Sequence, residues 1–209
     1  MLLKVEKRWV IAFIITAIVA MVSLFWPTQL PDASSGVFLE ENNLVGADIA
    51  WLLASSGLVL LMTPGLSFFY GGMVGKKNVI STMLQSFIAL GVISLVWVVV
   101  GFSLSFGDSL GFYIGKEHYG IIGNPFSFTF FNQVGVLPHS KMAPTVPFIL
   151  FALFQMKFAV ITPAIITGSF AERVRFVSYL LFIVLFSLFI YAPLAHMVWS
   201  GDGFLVKFF

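Results

Sequence analysis

Residues 176–201 read FVSYLLFIVLFSLFIYAPLAHMVWSG and contain no lysine, arginine, aspartate or glutamate. An apolar run of about 20 residues matches the hydrocarbon thickness of a bilayer, so this stretch predicts a helix that crosses a membrane. Four similar runs cover residues 9–26, 49–75, 78–107 and 142–171. Lys157 is the single formal charge within the five runs. Because the runs are continuous rather than alternating, they predict an all-α integral membrane protein, a polytopic helical bundle.

The composition excludes most soluble functions. Apolar residues make up 59% of the 209 positions and charged residues 10%, with a mean hydropathy of +1.02, whereas soluble domains carry roughly a quarter charged residues. The net charge is +2 and the basic residues form no long cluster, so nucleic-acid binding has no electrostatic support. The absence of cysteine excludes disulfides and thiol chemistry. We expect a lipid bilayer as the surroundings, no enzymatic activity and no cofactor.

The distribution of lysine and arginine predicts the orientation of the spans. With a cytoplasmic N-terminus, seven basic residues fall inside and three outside, which satisfies the positive-inside rule. The seven are Lys4, Lys7, Arg8, Lys76, Lys77, Arg173 and Arg175, and the three are Lys116, Lys141 and Lys207. We therefore expect a multi-pass protein of a plasma or inner membrane, with residues 76–77 and 172–175 cytoplasmic and residues 108–141 external.

The N-terminal segment has two interpretations. Residues 1–26 have a basic start and an apolar centre like a secretory signal, but the apolar run is long and no small-x-small cleavage site follows it. They are predicted to be either a signal peptide or an additional transmembrane helix. Residues 27–47 contain Pro, Ser and Asn and are predicted to be an external linker. Residues 48–209 form the main membrane domain.

The string MTPGLSFFYGGMVG at residues 62–75 interrupts a smooth apolar pattern. Pro64 lacks an amide donor, and the glycines allow neighbouring helices to approach closely, so we expect a broken helix at Pro64 and tight packing around it. Pro163 predicts a similar break in the fourth run. Ordinary small-residue packing accounts for such a string without any specific role.

Three aromatic residues are candidates for binding a cation. Phe154 and Phe158 are four residues apart and share a helix face, while Trp199 lies near the predicted outer surface. A partly desolvated ammonium group gains roughly 1–2 kcal/mol beside such rings, which concentrates it at a pore mouth without trapping it. Two alternatives stay open, because 25 phenylalanines create accidental pairs and Trp199 alone fits an interfacial aromatic belt.

Ionisable side chains near the spans have competing interpretations. Lys157 lies mid-span and should face protein or a water-filled cavity. It could contact substrate, reach the membrane interface with its ammonium group, or pair with a residue of another subunit, and we favour structural pairing over substrate contact. His118 and His139 fall in the external connection and His196 at the end of the last run, so no two histidines have metal-ligand spacing. We expect no metal site and interpret His196 as a packing residue.

Seven short motifs follow one another in a specific order. They are ADIAW at residues 47–51, the string at 62–75, KNV at 77–79, residues 97–107, FQ at 154–155, AERVRF at 171–176 and AHMVW at 195–199. In this order and spacing the chain resembles the ammonium transporter (Amt) family from about residue 47 to its end. Trp199 favours the Amt branch over the related Rhesus branch.

The resemblance implies an eleven-helix fold with two inverted repeats of five helices, of which residues 48–209 supply the first four. It also implies a homotrimer for the complete protein. Phe154 and Trp199 would form walls of an outer ammonium-binding site, and Phe158 would be one of two stacked rings that gate the pore. Met156 and Lys157 depart from the residues that the family often carries there.

The function implied by the resemblance is ammonium or ammonia transport by a complete parent protein, of which this chain is a fragment that stops before the fifth family helix. A PII-type regulator is a further partner known in the family. The alternatives are a nonconducting membrane subunit and an ammonium-sensing module, either of which would assemble with full-length transporters. We expect the isolated chain to conduct no ammonium.

Overall fold

The structure is a computed structural model that describes the backbone of residues 7–209 and the side chains of residues 10, 11 and 13–209. Lys4 and the side chains of Lys7 and Arg8, on which the predicted orientation partly rests, lie outside the described residues.

The described chain is a helical bundle with one β-hairpin. The helices are α1 (Lys7–Phe25), α2 (Gly46–Met73), α3 (Val79–Val96), α4 (Phe102–Phe106), α5 (Phe148–Phe170), α6 (Phe176–Phe186), α7 (Ala192–Trp199) and α8 (Phe204–Phe208). Two π-helical segments, π1 (Trp97–Gly101) and π2 (Ser187–Tyr191), join α3 to α4 and α6 to α7. The hairpin strands are β1 (Ser109–Ile114) and β2 (Glu117–Gly123), paired antiparallel. Three short 3-10 turns lie in the connections.

Four helices within the described residues are long and apolar enough to cross a membrane. They are Gly46–Met73, Val79–Phe106, Phe148–Phe170 and Phe176–Trp199, and a shorter apolar stretch, Phe13–Phe25, belongs to α1. The predicted multi-pass helical bundle is confirmed, and the four spans agree with the predicted runs apart from residues 142–147. Those residues stay outside α5 because Pro147 disfavours helix at the residue before it.

The predicted helix breaks at Pro64 and Pro163 are wrong. Pro64 lies inside the continuous helix α2, and Pro163 lies inside α5. A proline removes one amide donor, and a helix in a packed bundle tolerates this when the neighbouring turns stay bonded. Close packing is present on one face of the string only. The Ser67 hydroxyl donates to the Met83 carbonyl of α3 at 3.0 Å, and a Cβ atom at Gly71 would lie 2.8 Å from the Met83 side chain, whereas nothing lies within 4 Å of one at Gly65 or Gly72.

Aromatic side chains fill the centre of the bundle. Trp97 is buried in π1, and its indole N–H donates to the Ala152 carbonyl of α5 at 3.1 Å. Its ring centroid lies 5.8 Å from that of Phe102 and 6.2 Å from that of Tyr191, the last residue of π2. The two π segments therefore meet at one level, where π-helical turns interrupt the α-helical register of both helices.

One end of the bundle, here called the short-loop end, consists of the loops at residues 74–78 and 171–175. A single carboxylate oxygen of Glu172 accepts hydrogen bonds from the Gly75 amide at 2.8 Å and from the Asn78 side chain at 2.9 Å. These bonds hold the pKa of Glu172 below its usual value, the Asn78 bond having the larger effect. The four basic residues of these two loops therefore lie at one end of the bundle, as the orientation requires.

The opposite end, here called the hairpin end, consists of residues 27–47, 108–147 and 200–209. Backbone bonds join distant parts of it, with Leu39 N donating to Pro138 O at 2.8 Å and Val45 N to Thr145 O at 2.9 Å. The sequence did not predict the β-hairpin, because apolar and polar residues alternate too weakly in its two short strands to be recognised. This end carries most of the irregular chain and one side of the candidate site.

Candidate functional site

The three predicted aromatic residues come together at the hairpin end of the spans. The Phe154 and Phe158 ring centroids are 5.1 Å apart in an edge-to-face arrangement, as a four-residue spacing on α5 predicts. Trp199, the last residue of α7, places its ring 6.3 Å from that of Phe158. Both phenylalanines are half-buried, and Trp199 is 47% exposed. We refer to Phe154, Phe158 and Trp199 as the aromatic trio.

An apolar cleft of about 170 Å³ begins beside Trp199 and runs between α5 and the α6–π2–α7 span. Thr162, Phe186, Ile190, Tyr191, Leu194, Ala195, Val198 and Trp199 line it. The Thr162 hydroxyl donates to the Phe158 carbonyl at 2.7 Å, so it is satisfied within its own helix and adds little polarity to the wall.

Of the eight residues that line this cleft, sequence reasoning identified Trp199 alone as a site residue, and it missed the two that carry a hydroxyl group. Thr162 follows Phe158 by four residues, so the same spacing that links Phe154 to Phe158 was available to identify it. Tyr191 carried no such signal, because its position depends on π2. The buried Tyr191 hydroxyl has no hydrogen-bond partner among the described residues.

Lys157 directly precedes Phe158 in α5 and therefore lies on a different face of the helix from it. Its side chain is half-buried, and no carboxylate among the described residues lies within ion-pair distance of it. The predicted structural pairing with a residue of another subunit and the alternative of a substrate contact stay predictions. A cationic group one residue from Phe158 weakens cation binding at short range unless it is neutralised or points away.

Both buried histidines are structural within this chain. His196 is fully buried, with Nδ1 3.0 Å from the Ser105 carbonyl oxygen and Nε2 2.9 Å from the Ser109 hydroxyl. His139 packs against the Phe148 ring at 4.8 Å, and burial lowers its pKa to about 4, with further repulsion from Lys141 and a smaller opposing effect of Asp108. Within residues 7–209, no three His, Cys, Asp or Glu side chains form a group suited to a metal ion.

Comparison with known proteins agrees with the multi-pass helical architecture. The sequence profile of the Ammonium Transporter Family matches residues 50–209. An ammonium transporter of Mycobacterium tuberculosis is 42% identical over 168 residues, covering 76% of this chain and 34% of the relative. One from Bacillus subtilis is 45% identical over 154 residues, covering 74% and 35%.

Solved structures give the same result at the level of the fold. The crystal structure of Candida albicans Mep2 superposes with a TM-score of 0.68 at 30% identity, covering 80% of this chain and 34% of that one. A structure described as a sensor Amt protein gives a TM-score of 0.62 at 28% identity, covering 76% and 36%. The chain belongs to the ammonium transporter family, a family of transporters rather than enzymes. It spans about a third of the length of the curated relatives that it matches.

Proposed function

We propose that residues 48–209 are the N-terminal part of an ammonium transporter and supply one wall of its outer binding site and pore entrance. Phe154 and Trp199 bind the ammonium ion, and Phe158 closes the entrance to the pore below them. The observation that supports this proposal is the contact of Trp199 with Phe158, because it brings together two residues that are 41 positions apart, lie on different helices and are both assigned by the resemblance to the ammonium path.

The geometry of the trio suits a small cation. Phe154 and Phe158 meet edge to face and are only partly buried, and the half-exposed Trp199 adds a further aromatic surface beside them. Cation–π contact contributes about 1–2 kcal/mol per desolvated ring contact, which allows the ion to leave again. Binding of this strength concentrates ammonium at the entrance without blocking it.

The cleft beside Trp199 suits the neutral form of the substrate better than the ion. Its lining is apolar, and an isolated charge is costly to transfer into such surroundings. Ammonium would therefore transfer a proton to external water near the trio and pass on as ammonia. In the complete protein, the remaining two thirds of the relatives' length supplies the opposite wall and the second gating ring.

The short-loop end is proposed to be cytoplasmic and the hairpin end external, in a plasma or inner membrane. The basic residues of the loops at 74–78 and 171–175 support this orientation. Residues 1–26 are a signal peptide or an additional helix, and residues 27–47 an external linker. A homotrimer and regulation by a PII-type protein follow from the family resemblance and belong to the complete protein.

A chimera tests the proposal directly. Residues 1–209 joined to the remaining two thirds of the Bacillus subtilis relative should restore growth at low ammonium to cells that lack their own transporters. Trp199→Leu should raise the half-saturating concentration for uptake roughly five- to thirtyfold, the equivalent of about 1–2 kcal/mol of cation–π contact, while leaving membrane insertion intact.

The matched control is Trp51→Leu, since Trp51 is also an exposed tryptophan but lies on α2. It should leave the half-saturating concentration unchanged. Unaltered uptake by the Trp199→Leu chimera would refute the role of the trio, and a chimera that inserts but takes up no ammonium would refute the transport function. The native relative, measured in parallel, shows that the assay works.

A sensing role is the second candidate, favoured by the likeness to the structure described as a sensor Amt protein. A sensor binds ammonium at the trio but transfers its signal to a partner instead of conducting. A chimera that binds ammonium with the same dependence on Trp199 yet shows no uptake would favour this function over transport.

A further inference from the structure

The hairpin end holds the last turn of α7 through one buried side chain. The Ser105 carbonyl can only accept a hydrogen bond, so His196 Nδ1, 3.0 Å away, carries the proton and donates to it. Nε2 then accepts from the Ser109 hydroxyl at 2.9 Å. His196 therefore links α7 to the end of α4 and to the first residue of β1, and both ring nitrogens are satisfied.

A second set of bonds follows Trp199 in the chain. The Gly120 amide of β2 donates to the Asp202 carbonyl at 2.8 Å. The Lys207 ammonium donates to the His118 carbonyl at 3.0 Å and pairs with the Asp202 carboxylate at 3.2 Å. Trp199 thus lies three residues after one attachment to the hairpin and three residues before the next.

The hairpin and the residues after α7 pack closely around His196. A Cβ atom at Gly120 would lie 2.9 Å from His196 Nε2 and 2.8 Å from the Ser109 hydroxyl oxygen. A Cβ atom at Gly203 would lie 2.5 Å from the His196 carbonyl oxygen. The hairpin backbone therefore packs directly against the imidazole, and both neighbouring positions require glycine.

The Trp199 ring itself has little packing to fix it. It is 47% exposed, and its ring contact in the described chain is the one with Phe158 at 6.3 Å. Since packing of the ring contributes little, its position over Phe158 depends on where the backbone of α7 is held.

We propose that His196 is a positioning residue for the aromatic trio, which the hairpin uses to hold Trp199 over Phe158. This rests on the proposed function of the trio as an ammonium-binding site. The polar network from Ser105 through His196 to Ser109 determines the position of α7 and thereby the position of Trp199. His196 touches neither the ammonium ion nor the cleft.

The chimera described above tests this through uptake. His196→Leu should raise the half-saturating ammonium concentration roughly three- to tenfold with little change in maximal uptake. His196→Gln retains a donor and an acceptor on one side chain and should rescue most of the loss, while Ser109→Ala removes one bond and should have a smaller effect. His118→Leu is the control, because the His118 ring packs on Tyr113 of the hairpin at 4.8 Å and is not one of the hydrogen-bond partners of the His196 ring.

A double substitution separates positioning from general destabilisation. In a Trp199→Leu background, His196→Leu should raise the half-saturating concentration no further, because the residue that it positions is already absent. A full additional increase would overturn the proposal, as would an unchanged concentration in the single variant. If His196→Leu prevents membrane insertion, Ser109→Ala becomes the test of the positioning role. An unchanged half-saturating concentration in that variant then overturns the proposal.

A spectroscopic readout is independent of ammonium binding. In the chimera labelled with 5-fluorotryptophan, Trp199→Phe identifies the Trp199 fluorine resonance. His196→Leu and Ser109→Ala should each shift or broaden that resonance, and His118→Leu should not. A resonance that stays unchanged in both variants overturns the positioning role. This result does not depend on whether the trio binds ammonium, so the failure of one proposal can be told from the failure of the other.

Discussion

The two ends of the bundle are held together in different ways. At the short-loop end, one exposed carboxylate, Glu172, joins two loops of about five residues each. At the hairpin end, three long segments are joined by backbone pairing and by two buried histidines, His139 and His196. The aromatic trio lies at the hairpin end. The chain therefore places its candidate binding site where long-range contacts, rather than short loops, fix the geometry.

The chemistry of the linking groups explains why the short-loop end uses an exposed carboxylate and the hairpin end uses buried histidines. Glu172 has a left-handed backbone with φ of 66° and remains in contact with solvent, so its charge costs little. A buried linking group avoids a large desolvation cost when it is neutral and hydrogen-bonded, as the imidazole of His196 is with one donor and one acceptor. We expect perturbations of the hairpin end to have larger effects than perturbations of the short-loop end.

The largest effect is expected from Gly123→Ala. A Cβ atom there would lie 2.2 Å from the Ser103 carbonyl oxygen and 2.9 Å from the Gly107 amide nitrogen, and backbone atoms cannot move aside as a flexible side chain can. Overpacking of this kind costs about 1–3 kcal/mol or more. The thermal unfolding midpoint of the detergent-solubilised chain should fall by several degrees, as followed by circular dichroism.

Gly201→Ala is the control for this substitution at the same end of the bundle. Nothing lies within 4 Å of a Cβ atom at Gly201, so the midpoint should stay close to that of the unsubstituted chain. Equal midpoints for Gly123→Ala and Gly201→Ala would mean that the hairpin is not packed tightly on α4.

An intermediate effect is expected from acidification, through His139. Because burial lowers its pKa from 6.5 to about 4, the folded hairpin end binds less proton than an opened one between these values. The contribution of neutral His139 to the stability of the hairpin end is therefore fully present above pH 6.5. It decreases as the pH is lowered through this window and levels off near pH 4. Hydrogen exchange at the Leu39 and Ala143 amides, corrected for the intrinsic rate, should accelerate over this range.

His139→Gln provides the comparison, because glutamine does not titrate there. Its exchange rates should be less dependent on pH, whatever their absolute level. A pH dependence as steep as that of the unsubstituted chain would assign the effect to another group.

The smallest effect is expected from Glu172→Ala at the short-loop end. Loss of the carboxylate leaves the Gly75 amide and the Asn78 side chain to water, which is accessible at this exposed position. Hydrogen exchange at Gly75 should accelerate, while exchange at Leu39 should stay unchanged. Glu172→Gln retains the acceptor oxygen and should restore the protection of the Gly75 amide. Accelerated exchange at both Gly75 and Leu39 in Glu172→Ala would contradict independent stabilisation of the two ends.

Much of the membrane architecture was predictable from the sequence, and the reason is local. Hydropathy within each run predicts the spans, since a helix satisfies its own backbone groups in lipid. The pairing of Phe154 with Phe158 follows from helical spacing alone. The effect of the prolines was predicted wrongly. The helices α2 and α5 continue through Pro64 and Pro163 because the neighbouring turns stay helical, which a local sequence pattern does not show.

Tertiary structure decided the rest of the candidate site. In π2 the hydrogen bonds close one residue later than in an α-helix, which rotates every residue after Tyr191 to a different face. The contact between Trp199 and Phe158 depends on that rotation and on the bonds of His196 to Ser105 and Ser109. The sequence by itself determined a family, a set of spans and a pair of rings on one helix. Only the packed chain brought the third ring to them, because a contact between residues 41 positions apart is set by the helix register and the attachment of α7, neither of which is encoded in local composition.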